Sequence, residues 1–355
     1  MIYLEKNKLI DKMKLNVKKL FPVGIIGFVV LIVAATLFYL FAPMNKTDGD
    51  AYIYVDKDDN VDSIAAKLDE VSHCYSVSCI KILARHTGLE DNIRTGRFCV
   101  DKSVGSLMFF RKLRNGQQDP VRLTVPSVRT LDRLAEELSA KLMMGKEELM
   151  NYFANNDSCS KFGLDTATIV TLFIPNTYEV YWNISAEKLL KKMQDEKKRF
   201  WNEERMAKAG KLNLTPEEVM TLASIIDEET ANNAEKPMIA GMYYNRLQKP
   251  MPLQADPTIK FALKDFAVKR IYNNMLHVKS PYNTYINEGL PPGPIRVASV
   301  AGIDAVLNME RHDYLYMCAK EDFSGTHNFA RTYEEHLQNA AKYSKALNER
   351  NIGKY

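Results

Sequence analysis

The sequence predicts an α+β protein with a single N-terminal transmembrane helix, a small α+β unit behind it and a larger mixed α/β region after that. Three observations predict it. Residues 23–42 include no charged side chain, and at about 1.5 Å per residue they cross the ~30 Å hydrocarbon layer once. A short strand pattern leads through a polar turn into a helical pattern three times: 52–55 into 61–68, 97–100 into 104–108, and 121–125 into 131–135. From about Gly145 to Gly210 the pattern is mainly helical, interrupted at 173–178 by an apolar and aromatic loop.

These patterns set off a basic tail at 1–22, the transmembrane helix at 23–43 and a polar linker at 44–50, with the α+β remainder of the chain after them. With 355 residues, 46% of them apolar, there is material for one large core or two modest ones. Lys6, Lys8, Lys12, Lys14, Lys18 and Lys19 precede the span against only Glu5 and Asp11. The positive-inside rule then puts the N-terminus in the cytoplasm and the large region on the periplasmic or extracytoplasmic side of the cytoplasmic membrane. A cleaved signal peptide, cut near Val33, Ala34 and Ala35, competes with the anchor, but the apolar run is longer than the usual signal core.

The lysine surplus of the tail equals the formal +4 of the whole chain, so the remainder is net neutral. A nucleic-acid partner is therefore not expected, since phosphates call for a clustered basic surface. Five scattered cysteines make no disulfide framework; Cys74 and Cys79 are a candidate bridge in an oxidising compartment, and small buried hydrophobes are the default. No tight Cys/His spacing asks for a metal, and His312, His327 and His336 read as surface or structural residues.

The stretch from Thr215 to Thr230 breaks a local rule. Thr215 is a natural N-cap, Pro216 suits the first helical position, and Glu218 completes a capping box. Val219, Leu222, Ile225 and Ile226 recur at helical spacing, and Glu229 falls on the same face, where a core side chain belongs. Asp227 and Glu228, each turned by roughly 100° per residue, are expected toward solvent or the flank. Burial and the helix C-terminus both raise the pKa of Glu229, which makes it a candidate general acid. An ordinary acidic last turn is the competing reading.

Three stiff loops follow the helix of Ile239, Met242 and Tyr243, at 253–258, 280–285 and 289–295. They are dense in proline, amides, carboxylates and aromatic rings. Sugars offer hydroxyls and flat apolar faces, so Asn245, Gln254, Asn283 and Tyr285, with Tyr282 as a stacking surface, are candidate carbohydrate contacts. Tight structural connections have the same composition.

The motifs 223–230, 245–247, 253–258, 282–285 and 289–293 resemble, in order and spacing, the MltG (YceG-like) endolytic murein transglycosylases. The resemblance extends over most of the chain and implies a LysM-like subdomain at 51–118 and a YceG-like catalytic domain at 119–350, its core at 211–335. It implies Glu229 as the catalytic residue, adds Arg246, Asp256 and Thr284 to the substrate-binding set, and requires no cofactor. Asp227 and Glu228 depart from an acid–lysine pair in that pattern, Val170 and Thr171 from an acid–glycine pair, and Asn176 from an aspartate. The implied reaction cleaves the MurNAc–GlcNAc bond of nascent peptidoglycan strands, leaving 1,6-anhydro ends that stop elongation. The implied partners are glycan strands and peptidoglycan synthases. A muramidase with Asp256 as its second carboxylate and a non-catalytic wall-binding scaffold are the alternatives.

Overall fold

The computed structural model describes residues 23–268 and 270–349, so the basic tail read at 1–22 lies outside the described residues. Helix α1 (Val23–Phe41) has no buried residue, and it is long and apolar enough to cross a bilayer, a property that membrane anchors share with signal sequences. The rest is mixed α and β, in two compact units. The boundary falls between Val121 and Arg122, with residues 181–183 grouped with the first unit.

In the first unit β1 (Ala51–Val55) and β2 (Gly96–Val100) pair antiparallel with Ile53 opposite Phe98. Between them lie α2 (Val61–Val71) and α3 (Cys74–Thr87), and α4 (Ser106–Asn115) follows. Ile53 and Val55 face inward onto Leu68, Ile80 and Phe109, while Tyr52 and Tyr54 stand on the exposed face. The helix expected from Val104 starts two residues later. Asp101 accepts from the Ser103 and Val104 amides, which holds this segment in a turn, and the extended Gly105 ends it. Cys74 and Cys79 lie five residues apart on α3, so they face different sides of one helix; both thiols are free.

In the second unit β3 (Val121–Val125) pairs with β4 (Asn176–Val180), which corrects the loop expected at 173–178: residues 173–175 are irregular, as expected, and 176–178 are strand. Tyr178 and Val180 alternate inward in β4, with Thr177 and Glu179 outward. The proline at 175 reads as a breaker in sequence, yet it only precedes the strand. Helices α5 (Leu131–Ser139), α6 (Lys146–Phe153) and α7 (Asn156–Ser160) lie between these strands, followed after β4 by α8 (Ala186–Phe200) and α9 (Glu203–Lys211). Next come α10 (Pro216–Glu229), α11 (Lys236–Leu247), α12 (Asp256–Leu263) and α13 (Val300–Leu307). The hairpin β5 (Tyr316–Ala319) and β6 (His327–Ala330) is antiparallel, and α14 (Tyr333–Glu349) packs on it.

The site depends on α10. Its N-terminus carries the full capping box, Glu218 amide to Thr215 Oγ1 at 3.2 Å and Thr215 amide to Glu218 Oε2 at 2.8 Å. Val219, Leu222, Ile225 and Ile226 are fully buried in the core it shares with α11 and α13. Its buried Ser224 hydroxyl accepts from the Ile295 amide at 3.0 Å, which ties the proline-rich 289–295 run to the helix. Gly293 in that run lies so close to the Ala167 carbonyl that a Cβ would stand 2.2 Å from its oxygen.

Candidate functional site

Glu229 is the last residue of α10, followed by Thr230 in extended conformation. The helical stripe that buries Ile225 and Ile226 carries Glu229 to the edge of the core, where it is partly exposed and opens on a cavity of about 380 Å³. The hydroxyl of Tyr243, from fully buried positions on α11, donates to Glu229 Oε1 at 2.6 Å. Burial pushes the Glu229 carboxyl up to about 7; the Tyr243 hydrogen bond works against this, Asp256 and more weakly Glu228 add to it, and Lys260 opposes it. Burial beside this carboxyl also holds the Tyr243 hydroxyl well above the usual phenol range, so it remains a donor. With Oε1 engaged, Oε2 is the oxygen left to carry the proton.

Asp227 and Glu228 are not turned to solvent. The Asp227 side chain is 3% exposed and accepts from Lys236 Nζ at 2.7 Å, from the Ser299 amide at 2.6 Å and from Ser299 Oγ at 2.7 Å. It thereby fastens the end of α10 to the N-cap of α13. Gly302 makes room for it: a Cβ there would lie 2.7 Å from Oδ1. Glu228 accepts from Arg129 Nε at 2.9 Å and from Arg296 Nη1 at 2.8 Å. Sequence places three acids in a row, but two of them are matched by cations, Asp227 by Lys236 of the next helix and Glu228 by two arginines from distant segments.

Of the expected contacts, Arg246, Gln254, Asp256 and Tyr285 line the same cavity as Glu229. Asp256 begins α12 instead of lying in a loop, because Pro257 suits a helical first turn, and it accepts from the Tyr285 hydroxyl at 2.5 Å rather than pairing with Arg246. Arg246 is buried and donates to the carbonyls of Leu315 at 2.6 Å and Leu253 at 2.7 Å. The other four lie elsewhere. Asn245 donates to the carbonyls of His312 and Tyr314, fully buried Asn283 to those of Leu276 and Val278, and the Thr284 hydroxyl accepts from the Ala255 amide. Those three side chains hold loops in place. Tyr282 faces a different cavity, against Phe261.

The profile of the YceG-like family matches residues 53–342. The chain belongs to the YceG-like family. It is similar to the endolytic murein transglycosylase of Bacillus subtilis, 42% identical over 132 residues that make up 37% of this chain and 36% of that one. Proteins of the same name from two strains of Streptococcus pneumoniae are each 25% identical over 92% of this chain and 65% of theirs. The YceG-like chain thus spans less than two thirds of the length of these relatives. The crystal structure of a YceG-like protein from Listeria monocytogenes superposes with a TM-score of 0.54 at 25% identity, over 82% of this chain and 99% of that one.

Several residues that line the Glu229 cavity of this YceG-like chain carry no signal in the sequence. Tyr243 reads there only as one member of an apolar helix face. Tyr316, His327, Tyr333 and His336 come to the cavity from the β5–β6 hairpin and the start of α14. His327 donates its amide to Glu235 at 2.6 Å, and His336 stacks on Tyr316 at 5.5 Å. Burial and the Arg246 charge hold the His336 imidazole below its usual range.

The Tyr243 bond favours the charged form of Glu229, so Tyr243→Phe is expected to raise the carboxyl's pKa. In an enzyme that uses Glu229 as its acid, the basic limb of the pH–rate profile then moves to higher pH, and the rate below it falls about tenfold as the carboxyl loses its anchor. A limb that does not move would remove Tyr243 from this role.

Proposed function

We propose that this chain is a membrane-anchored endolytic lytic transglycosylase, a lyase that cuts the MurNAc–GlcNAc bond of peptidoglycan strands and leaves 1,6-anhydroMurNAc ends. The observation that carries it is the Glu229 carboxyl, held by Tyr243 on one oxygen in a polar cavity and pushed up to about 7, where it keeps a proton to give. Family membership and the names of the bacterial relatives support the substrate class.

Glycosidases that use water or a covalent intermediate employ two carboxyl groups. Closing a ring within the substrate needs one. In this mechanism Glu229 gives the Oε2 proton to the glycosidic oxygen as its bond to muramic C1 breaks. The carboxylate then takes the proton of the C6 hydroxyl, whose oxygen closes on C1, and the acid is restored without water. Holding that hydroxyl beside C1 makes the second step intramolecular, with the orientation advantage this brings. Gln254 and Tyr285, which line the cavity, are the candidate sugar contacts. Because the proton must be present at the start, activity falls as pH rises through about 7.

In this reading α1 is an uncleaved anchor with its N-terminus in the cytoplasm, and the two units lie on the other face. The first unit, read as LysM-like, grips glycan, with Tyr52 and Tyr54 on the exposed face of β1 offering ring platforms. An anchored enzyme reaches strands near the membrane, which suits cutting new glycan and ending its elongation beside the synthases. Asp256 shares the cavity with Glu229, and that observation favours a hydrolase as the second reading.

Mass spectrometry of products from uncross-linked strands treated with the full chain in detergent micelles separates the readings. Anhydro ends are expected. Reducing ends would make the chain a muramidase and give Asp256 the water-activating role, and a folded chain that binds strands without cutting them would make it a scaffold.

A further inference from the structure

A second cavity of the same unit, about 490 Å³, is larger than that of Glu229 and has no part in the mechanism above. Two elements carry one residue into each: from α12 come Asp256 to the first and Phe261 to the second, and from the 280–285 turn come Tyr285 and Tyr282. A third, α10, places Glu229 in the first and Glu228 on the two arginines that line the second. The two cavities are therefore neighbours by construction.

The walls of the second combine rings with cations. Phe261 lies 4.7 Å from Tyr282 and 6.4 Å from Phe266, centroid to centroid, and Arg129 stands 5.9 Å over Phe266. Two guanidiniums, Arg129 and Arg296, share the one Glu228 carboxylate. Arg129 uses only its Nε for this, so its Nη groups bond to no described residue, and the buried Arg296 Nε has no acceptor among the described residues. Lys264 on the rim is exposed and makes no ion pair among the described residues. Asp132, the acid on the wall, is already matched by Lys146 at 2.7 Å. The cavity thus carries surplus positive charge beside an aromatic platform.

That combination fits an apolar-faced ring or side chain with an attached carboxylate. Resting on the glycan-cleaving reading, we infer that this cavity is a subsite for the carboxylate-bearing stem peptide of the strand cut at Glu229. Tyr282 and Phe261 cover the apolar part, while Arg129 and Lys264 take the carboxylate.

The test is calorimetric titration of the full chain in detergent micelles with two probes: a muramyl disaccharide–peptide with free carboxylates, and the same molecule with those carboxyls amidated. Amidation is expected to weaken binding about fivefold. In Lys264→Asn and Arg129→Gln this discrimination shrinks, and in the double variant it vanishes; asparagine accepts the left-handed backbone of Lys264, φ 55°, so that variant folds. Tyr282→Leu weakens both probes alike, by about threefold or more. Equal affinity of the wild type for the two probes, discrimination that survives in the double variant, or binding unaffected by Tyr282→Leu would each overturn the subsite. Cleavage is scored separately by the product analysis above. A chain that discriminates the probes but cuts nothing loses the catalytic reading alone, whereas one that cuts strands and ignores the carboxylates loses the subsite alone.

Discussion

Glu229→Gln is expected to lower strand cleavage by about 10³-fold, because the substituted amide has no proton to give the leaving oxygen. The shape of the side chain is kept, and its carbonyl oxygen still accepts the Tyr243 hydroxyl. The same substitution is expected to stabilise the fold above neutral pH. Glu229 titrates near its ordinary 4.5 in the unfolded chain and at about 7 in the folded one. Between those values the unfolded chain releases a proton that the folded chain retains, so wild-type stability falls as pH rises through this window and levels off above it. The drop is about 3 kcal/mol at most, less for the part of the side chain open to the cavity. Glutamine has no such window. The Tm difference between variant and wild type should therefore be near zero at pH 4, grow toward pH 7 and stay constant beyond. A difference independent of pH would show that Glu229 is an ordinary surface acid, and a variant that retains more than a tenth of the activity would move the acid elsewhere.

Lys236→Met is expected to destabilise the second unit by about 3–5 kcal/mol. The Lys236 and Asp227 side chains are 7% and 3% exposed, and the substitution leaves Asp227 charged, buried and paired only with Ser299. The pair itself adds little net stability, because both charges had to leave water. The double variant Lys236→Met, Asp227→Asn should accordingly recover more than half of the loss, which is the sign of a coupled pair. Urea titration followed through Trp201, buried in this unit, in a Trp182→Phe background reads the effect without the first unit. A double variant no better than the single would mean that Lys236 acts through its packed methylenes instead.

What was legible in the sequence was local. The capping box at Thr215, the stripe through Ile226 and the arrival of Glu229 on that stripe involve residues a few positions apart, so periodicity alone places them. The fates of Asp227 and Glu228 were not legible. Their partners Lys236, Ser299, Arg129 and Arg296 come from other elements, up to 99 residues away, and no helical wheel contains them. The motif at 282–285 shows a different difficulty. An amide that binds a sugar and one that ties a loop have the same composition, and Asn283 does the second. Strand β4 was hidden by the proline just before it, since the pairing that forms it comes from β3, some fifty residues earlier. Cavity walls from β5, β6 and α14 depend on the hairpin folding back, which no short-range pattern encodes.

The last turn of α10 sets three consecutive acids under three unrelated constraints: a lysine and a helix cap at 227, two guanidiniums at 228, and a proton at 229. In a library that varies each codon, these neighbours would give separate fitness signatures. Selection for a folded, protease-resistant chain would purge position 227, bear lightly on 228 and enrich neutral residues at 229. Selection for cleaved wall would reverse the preference at 229 alone.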